Sequence, residues 1–207
     1  MAPAEIAHRL LGTLWVLNLG WPLPTDLAPR VPATFVRVGP EAAGSLARAM
    51  GHAEPALALE RFAAGRHCYA ARVQGEIAAY GWVSFDEEQI GELGLRIRLV
   101  PGEAYIWDCA TAPAYRRRRL YTALLAHIVG ELRGAGLCRA WIGADEDNQA
   151  SQGGMALAGF QPVADLIIDS TLEMNRIRVT GRPGAPEQIV ADARFALLGD
   201  PLLGSEK

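Results

Sequence analysis

Residues 103–143 read EAYIWDCATAPAYRRRRLYTALLAHIVGELRGAGLCRAWIG. The first nine, Glu103–Thr111, carry Tyr105, Ile106, Trp107 and Thr111, residue types that favour a pleated, half-buried strand. Ala112-Pro113-Ala114-Tyr115 then turns the chain, because proline fixes its own φ and pushes the residue before it out of the helical region. From Arg116 to Leu132 the residues Leu120, Leu124, Ile128 and Leu132 recur every four positions, the spacing of a helix face packed on a core. Gly134 and Gly136 stop that helix, and Cys138–Gly143 supplies a second strand. Strand, helix, strand over so short a stretch is a parallel crossover unit, almost always right-handed. The fold class is therefore α/β.

The pattern extends in both directions. Downstream, Gln149–Ala158 reads as a helix ending at Gly159, and Phe160–Ile168 as a strand. Upstream, Thr34–Val38 is a strand, Glu41–Ala64 one or two helices interrupted near Gly51–Pro55, and His67–Val73 with Glu76–Phe85 an antiparallel pair turning at Gln74-Gly75. Asp86–Val100 is acidic and then alternates through Leu95–Leu99, which fits a short strand or a long loop. Pro22, Pro24, Pro29 and Pro32 set a linker at about Trp21–Pro32. Before it, Leu10, Leu14 and Leu17 at helical spacing predict an amphipathic helix over Glu5–Leu19, docked on the body or on a partner. A terminal helix over Ala185–Leu198 presents Ile189, Ala193, Ala196 and Leu197, a face that packs on the body or pairs two copies as a homodimer. The expected organisation is a helix and Pro-rich linker at 1–33, one domain at 34–180 and a helical tail at 181–207.

With 207 residues, half of them hydrophobic, and 21% charged, the chain has the composition of a folded globular protein. Its formal net charge of -3 argues against general polyanion or nucleic-acid binding, which needs a basic face to release counterions. Any anion must be gripped locally. Cys68, Cys109 and Cys138 form no CxxC pair, and no His or Cys spacing supports a metal. The apolar stretch Ile6–Trp21 is too short to span a membrane, carries His8 and Arg9, and lacks the flanks of a signal peptide, so a cytoplasmic protein is expected.

Arg116, Arg117, Arg118 and Arg119 place four positive charges at the start of the helix. Unpaired backbone N–H groups and the helix dipole favour an anion there, whereas arginines at that end oppose the dipole unless something offsets them. A bound phosphate would.

The segment Thr111-Ala112-Pro113-Ala114-Tyr115-Arg116-Arg117-Arg118-Arg119-Leu120-Tyr121, with Thr122-Ala123-Leu124-Leu125 after it, resembles the acyl-CoA signature of the GNAT N-acetyltransferase superfamily. Asn148-Gln149-Ala150-Ser151 with Gly159-Phe160 resembles the family's second element, Asn-x-x-Ser, a helix and Gly-Phe. The resemblance covers roughly Thr34–Thr180. It implies a GNAT-like mixed, mostly antiparallel sheet with a central parallel βαβ unit and helices on both faces, and acetyl-CoA as co-substrate. It further implies that Arg116 and the backbone amides of Arg117, Arg118, Arg119, Leu120, Tyr121 and Thr122 wrap the pyrophosphate. The main chain of Cys109, Ala110 and Thr111 would pair with the pantetheine amides, and Asn148 and Ser151 would lie beside that arm. Two family glycine or small positions hold Arg119 and Tyr121 instead, so those side chains must point away from the phosphates.

Amine acylation needs a neutral amine, hence a base, an oxyanion donor and often an acid for the departing thiolate. Asp108 and Glu103 lie on the strand before the proline; five residues apart, they face opposite sides and are not partners. Asp108 is the favoured base, expected mid-strand and buried among apolar neighbours, where the charged form is disfavoured, although a structural carboxylate satisfied by backbone amides fits the pattern too. Many family members use a tyrosine four residues before Gly-Phe as the acid; that position is Met155, so either the thiolate leaves without an acid or another hydroxyl, such as Tyr105 or Tyr80, substitutes. Cys109 has no histidine near it in sequence and reads as a core residue, and His127, one position off the apolar stripe, as surface or structural.

Asp86-Glu87-Glu88 and Asp145-Glu146-Asp147 would attract a cationic amine. The expected activity is acetyl-CoA-dependent acylation of a small-molecule amine by direct attack on the thioester. The alternative is a catalytically degenerate GNAT module, a CoA-binding regulatory or scaffold domain, suggested by Arg119 and Met155.

Overall fold

The computed structural model describes residues 7–91, 95–170 and 175–199. The strands are β1 (Ala7–Asn18), β2 (Thr34–Val38), β3 (His67–Val73), β4 (Glu76–Ser84), β5 (Glu87–Ile90), β6 (Leu95–Arg98), β7 (Glu103–Thr111), β8 (Arg139–Asp145), β9 (Gln161–Ser170) and β10 (Asn175–Gly181). The helices are α1 (Ala43–Met50), α2 (Ala56–Ala63), α3 (Leu120–Gly134), α4 (Gln149–Leu157) and α5 (Glu187–Leu198). Eight strands form one sheet in the order β10-β9-β1-β8-β7-β4-β3-β2, and β5-β6 is a separate two-stranded ribbon. Among the described residues only the β7–β8 pairing is parallel, as the crossover through α3 requires.

Helices cover both faces. Leu120, Leu124, Ile128 and Leu132 of α3 are buried with Met155 of α4, and the strands contribute Ala104, Ile106, Ala140 and Ile142 to that side. Trp82, Tyr80 and Cys68 face α1 and α2, where Leu46 and Ala58 are buried. Tyr105 and Trp141 pack with Ala193, Ala196 and Leu197 of α5. The predicted terminal helix thus forms and buries its apolar face on the sheet. The alternating segment before β7 is strand β6, held by β5 in the register Glu88–Ile97; residues 92–94 lie outside the described set.

The amino-terminal helix predicted over Glu5–Leu19 is instead β1, a strand between β8 and β9. It pairs with β8 from Gly12–Asp145 to Asn18–Arg139. Its side chains alternate with period two: Leu14 and Val16 enter the α5 side, Trp15 and Leu17 the α3 side. Burial on both faces yields a nearly continuous apolar run, which periodicity alone cannot tell from a buried helix. The residues ahead of the proline-rich linker are therefore part of the sheet. Gly12 permits the closest approach within it, since a Cβ there would stand 2.5 Å from the Ala144 carbonyl oxygen.

Candidate active site

The ladder between β7 and β8 ends at Ile106–Ile142, yet β7 continues to Thr111 and β8 to Asp145. Past that point β7 stays paired with β4 as far as Ala79–Thr111, and β8 stays paired with β1 as far as Gly12–Asp145. The sheet therefore splits into a wedge whose two inner edges carry unpaired main-chain groups. A bulge sits on the β7 side: Trp107 faces Trp82 and Ala110 faces Tyr80, so Asp108 and Cys109 both oppose the single residue Gly81. Asp108 takes a left-handed φ of 41°, and a Cβ on Gly81 would stand 2.7 Å from the Cys109 Sγ. A cavity of about 1380 Å³ fills the wedge, walled by Arg9–Leu14 of β1, Trp107–Cys109, Gly143–Asp147, Arg61, Glu88, Tyr121, Asn148, Ser151 and Met155.

At one end of the wedge lies the arginine loop. Pro113–Tyr115 is a 3-10 turn, and α3 begins at Leu120, four residues later than the sequence predicts. The cause is local: Arg116 has φ −63°, Arg117 +61° and Arg119 +57°, while Arg118 is not among the positive-φ residues, so the sign alternates along the loop. Alternation of this kind turns successive N–H groups into one concavity, an anion nest, just before the unpaired N–H groups of the α3 start. Arg119 thus adopts a left-handed backbone that glycine takes at no steric cost. The linker braces the loop, with the Arg30 N–H donating to the Arg118 carbonyl at 2.9 Å. Because αL costs a β-branched residue more than an unbranched one, Arg119→Val is expected to lose about 2 kcal/mol and Arg119→Gly to lose nothing, as read by urea unfolding.

The carboxylates predicted as bases are separated. Glu103 is buried at the far end of β7, ion-paired with Arg139 at 2.9 Å; Arg139 also reaches Asp192 of α5 at 2.7 Å. It does not line the cavity. Asp108 does, but the apolar burial expected for it is absent: its side chain is 33% exposed and ion-paired with Arg61, and the Tyr80 hydroxyl lies 3.5 Å from its Oδ1. The bulge is responsible, since an extra residue in the strand leaves its side chain out of the sheet's alternation. The Arg61 guanidinium lies 4.5 Å from the Trp107 ring and 5.1 Å from that of Trp82.

Glu88, on the ribbon, is bound by Arg66 at 3.1 Å, by the Ser84 hydroxyl at 2.6 Å and by the Gln89 N–H at 3.0 Å. Burial alone would push its carboxyl up, but those donors together hold it below the ordinary value.

A model of the acetyltransferase (GNAT) family matches residues 41–160. The chain belongs to the GNAT acetyltransferase family. No curated protein matches the chain in sequence. Its fold is similar to a GNAT-family acetyltransferase from Colwellia psychrerythraea, with TM-score 0.55 and 14% identity over 86% of this chain and 57% of that one. It is likewise similar to a GCN5-related N-acetyltransferase from Sphaerobacter thermophilus, with TM-score 0.53 and 16% identity over 86% of this chain and 54% of that one. A GNAT-family putative acetyltransferase from Novosphingobium aromaticivorans gives TM-score 0.51 and 17% identity over 88% and 70%. The chain thus spans little more than half the length of the first two.

Within this GNAT domain the remaining predicted residues fall on three elements. Cys109, Ala110 and Thr111 form the wedge edge of β7; burial pushes the Cys109 thiol up, so it is no thiolate nucleophile at neutral pH. Leu120 and Thr122 are buried in the first turn of α3, and Tyr121 between them lines the cavity. Asn148 caps α4, its Oδ1 accepting the Ser151 N–H at 3.1 Å, and both residues line the cavity. Tyr105 lines it too, on the α5 side of the sheet, with its phenol raised by burial. Met155 is buried, and His127 stacks 5.8 Å from Phe35 and 6.0 Å from Tyr69.

Sequence reasoning missed Arg61, Arg66 and the β1 wall. Arg61 precedes Asp108 by 47 residues, and no local pattern couples the two. Gly154 was overlooked as well, although a Cβ on it would stand 2.5 Å from the Tyr121 ring. Among the described residues, no cluster of His, Cys, Asp or Glu could hold a metal, and no helix is long and apolar enough to cross a membrane.

Proposed function

We propose that the chain is an acetyl-CoA-dependent N-acyltransferase that moves an acetyl group to the amine of a small-molecule acceptor by direct attack on the thioester. One observation carries this reading: β7 and β8 part after Ile106–Ile142, and the freed end of β7, with the Asp108 carboxylate at its bulge, leads into the arginine loop of alternating φ that opens α3. The residues fit the co-substrate. Nest amides and guanidinium groups suit a pyrophosphate, and the open edge at Cys109–Thr111 suits an extended amide chain added as a strand. Asn148 and Ser151 face the same space from α4.

Acetyl-CoA would supply the acetyl group as an activated thioester. In this mechanism Asp108 holds the acceptor's N–H and receives its proton, while Arg61, packed beside the Trp82 and Trp107 indoles, orients the carboxylate. Glu103, engaged by Arg139, takes no part. The bulge N–H groups are the donors available to a developing oxyanion.

Calorimetry tests the first step. Saturable acetyl-CoA binding is expected, weakened about tenfold when Arg116 and Arg118 are both replaced by alanine, and weaker as salt rises. No binding at millimolar ligand overturns the proposal. Binding without amine-dependent release of free thiol, across a panel of amines, would instead identify a non-catalytic CoA-binding module.

A further inference from the structure

We propose that the Tyr121 hydroxyl donates a hydrogen bond to the sulfur leaving the thioester; this rests on the acetyl-transfer reading above. Tyr121 stands two residues past the nest, in the first turn of α3, and its side chain enters the wedge alongside Cys109, Ser151 and Met155. The ring is held in place from behind: a Cβ on Gly154 would stand 2.5 and 2.7 Å from its Cδ1 and Cε1, so this glycine exists to seat it. Its hydroxyl hydrogen-bonds the Ser151 side chain, and Tyr121 shares the cavity wall with Cys109, one residue from Asp108. The phenol therefore reaches the inner end of the edge on which an extended arm would lie.

The alternatives in the cavity are poorer. Met155 has no O–H to give. The other phenol in the wall, Tyr105, belongs to the opposite side of the sheet, packed with Leu14, Ile97, Trp141 and Leu166, whereas Tyr121 packs on the α3-side cluster. Burial pushes the Tyr121 phenol well above its ordinary value, so it keeps its proton at neutral pH and acts as a donor.

The step balances without an added reagent. The amine lone pair forms the new C–N bond, the C–S bond breaks, and its electron pair goes to sulfur. The amine proton goes to Asp108, and the sulfur, stabilised by the Tyr121 O–H, takes its final proton from solvent. Tyr121 ends as it began.

The product CoA, with its free thiol, is a probe that needs no acceptor. The thiolate absorbs in the ultraviolet, and subtracting the spectrum of the complex with desulfo-CoA removes the protein's own cysteines and tyrosines. Bound CoA is expected to ionise at lower pH than free CoA, and Tyr121→Phe to raise that midpoint by about one pH unit, the loss of one hydrogen bond to a charged group. CoA affinity at neutral pH, where the thiol is uncharged, should stay within about twofold, showing that the variant is folded. Ser151→Ala, which frees the phenol from its neighbour, is expected to shift the midpoint by a smaller amount. An unchanged midpoint in Tyr121→Phe overturns the role while leaving acetyl transfer standing. Failure of the unaltered protein to bind CoA at all overturns both.

Discussion

Leu14→Ala and Leu17→Ala are each expected to cost about 2–5 kcal/mol, the range for leucines truncated in a packed core. Both are 2% exposed, and they lie on opposite faces of β1, one against the α5 cluster and one against the α3 cluster. Each truncation opens a void in a different half of the core, and the strand is held from shifting into it by its pairing with β8 on one side and β9 on the other. The double variant should therefore lose nearly the sum of the two, since the void volumes do not merge. A peripheral helix with one buried stripe behaves otherwise, with residues on its outer side costing little. Urea unfolding of the two singles and the double distinguishes these cases. A cost under about 1 kcal/mol for either single variant contradicts a central β1. Because β1 also walls the cavity from Arg9 to Leu14, the same variants should weaken acetyl-CoA binding even where the fold survives.

The second large effect is at the ribbon. Arg66→Leu leaves the Glu88 carboxylate, 6% exposed, without its guanidinium, and is expected to cost about 3 kcal/mol at neutral pH. Ser84 and the Gln89 N–H remain as donors but carry no charge. The pH dependence follows from the sign of the shift. In the unaltered protein Glu88 is held below its unfolded value of about 4.3, so its contribution is present above that pH and is lost as pH falls through the lower folded value. In Arg66→Leu the guanidinium no longer offsets burial, the folded value rises, and correspondingly less stability is lost as pH falls. The stability gap between the two proteins should thus be widest near pH 7 and narrow towards about pH 4. Chemical denaturation at several pH values reads this directly. A gap that stays constant with pH means that Glu88 does not carry the effect, and Glu88→Gln in the Arg66→Leu background should close most of it.

Much of the fold was legible from local pattern. The four-residue repeat of α3, the turn at Pro113, the hairpin at Gln74-Gly75 and the break at Gly51–Pro55 each state their structure within a short window, because backbone propensity and a single buried stripe act locally. The arginine loop was legible as a place, though not as a shape: the helix starts four residues late because Arg117 and Arg119 bend left, and nothing in an arginine announces a positive φ. At the site, the two segments that resemble family elements led to Cys109–Thr111, Asn148 and Ser151, which line or edge the same wedge.

The failures share one cause. Leu10, Leu14 and Leu17 satisfy a helical count, yet the stretch is a strand, since a segment buried on both faces has no polar side from which to read a period. Asp108 was expected in an apolar strand interior, and a bulge opposite Gly81 turned it into the cavity beside Arg61. Glu103, five residues earlier on the same strand, was taken by Arg139 of β8 and Asp192 of α5. Composition, periodicity and motif spacing were enough for the α/β class and the crossover, both of which depend on neighbours within a few residues. Which strand fills the centre of the sheet, which carboxylate meets the cavity and which phenols line it depend on pairings across the chain, where burial and opposite charge choose among partners that no local window contains.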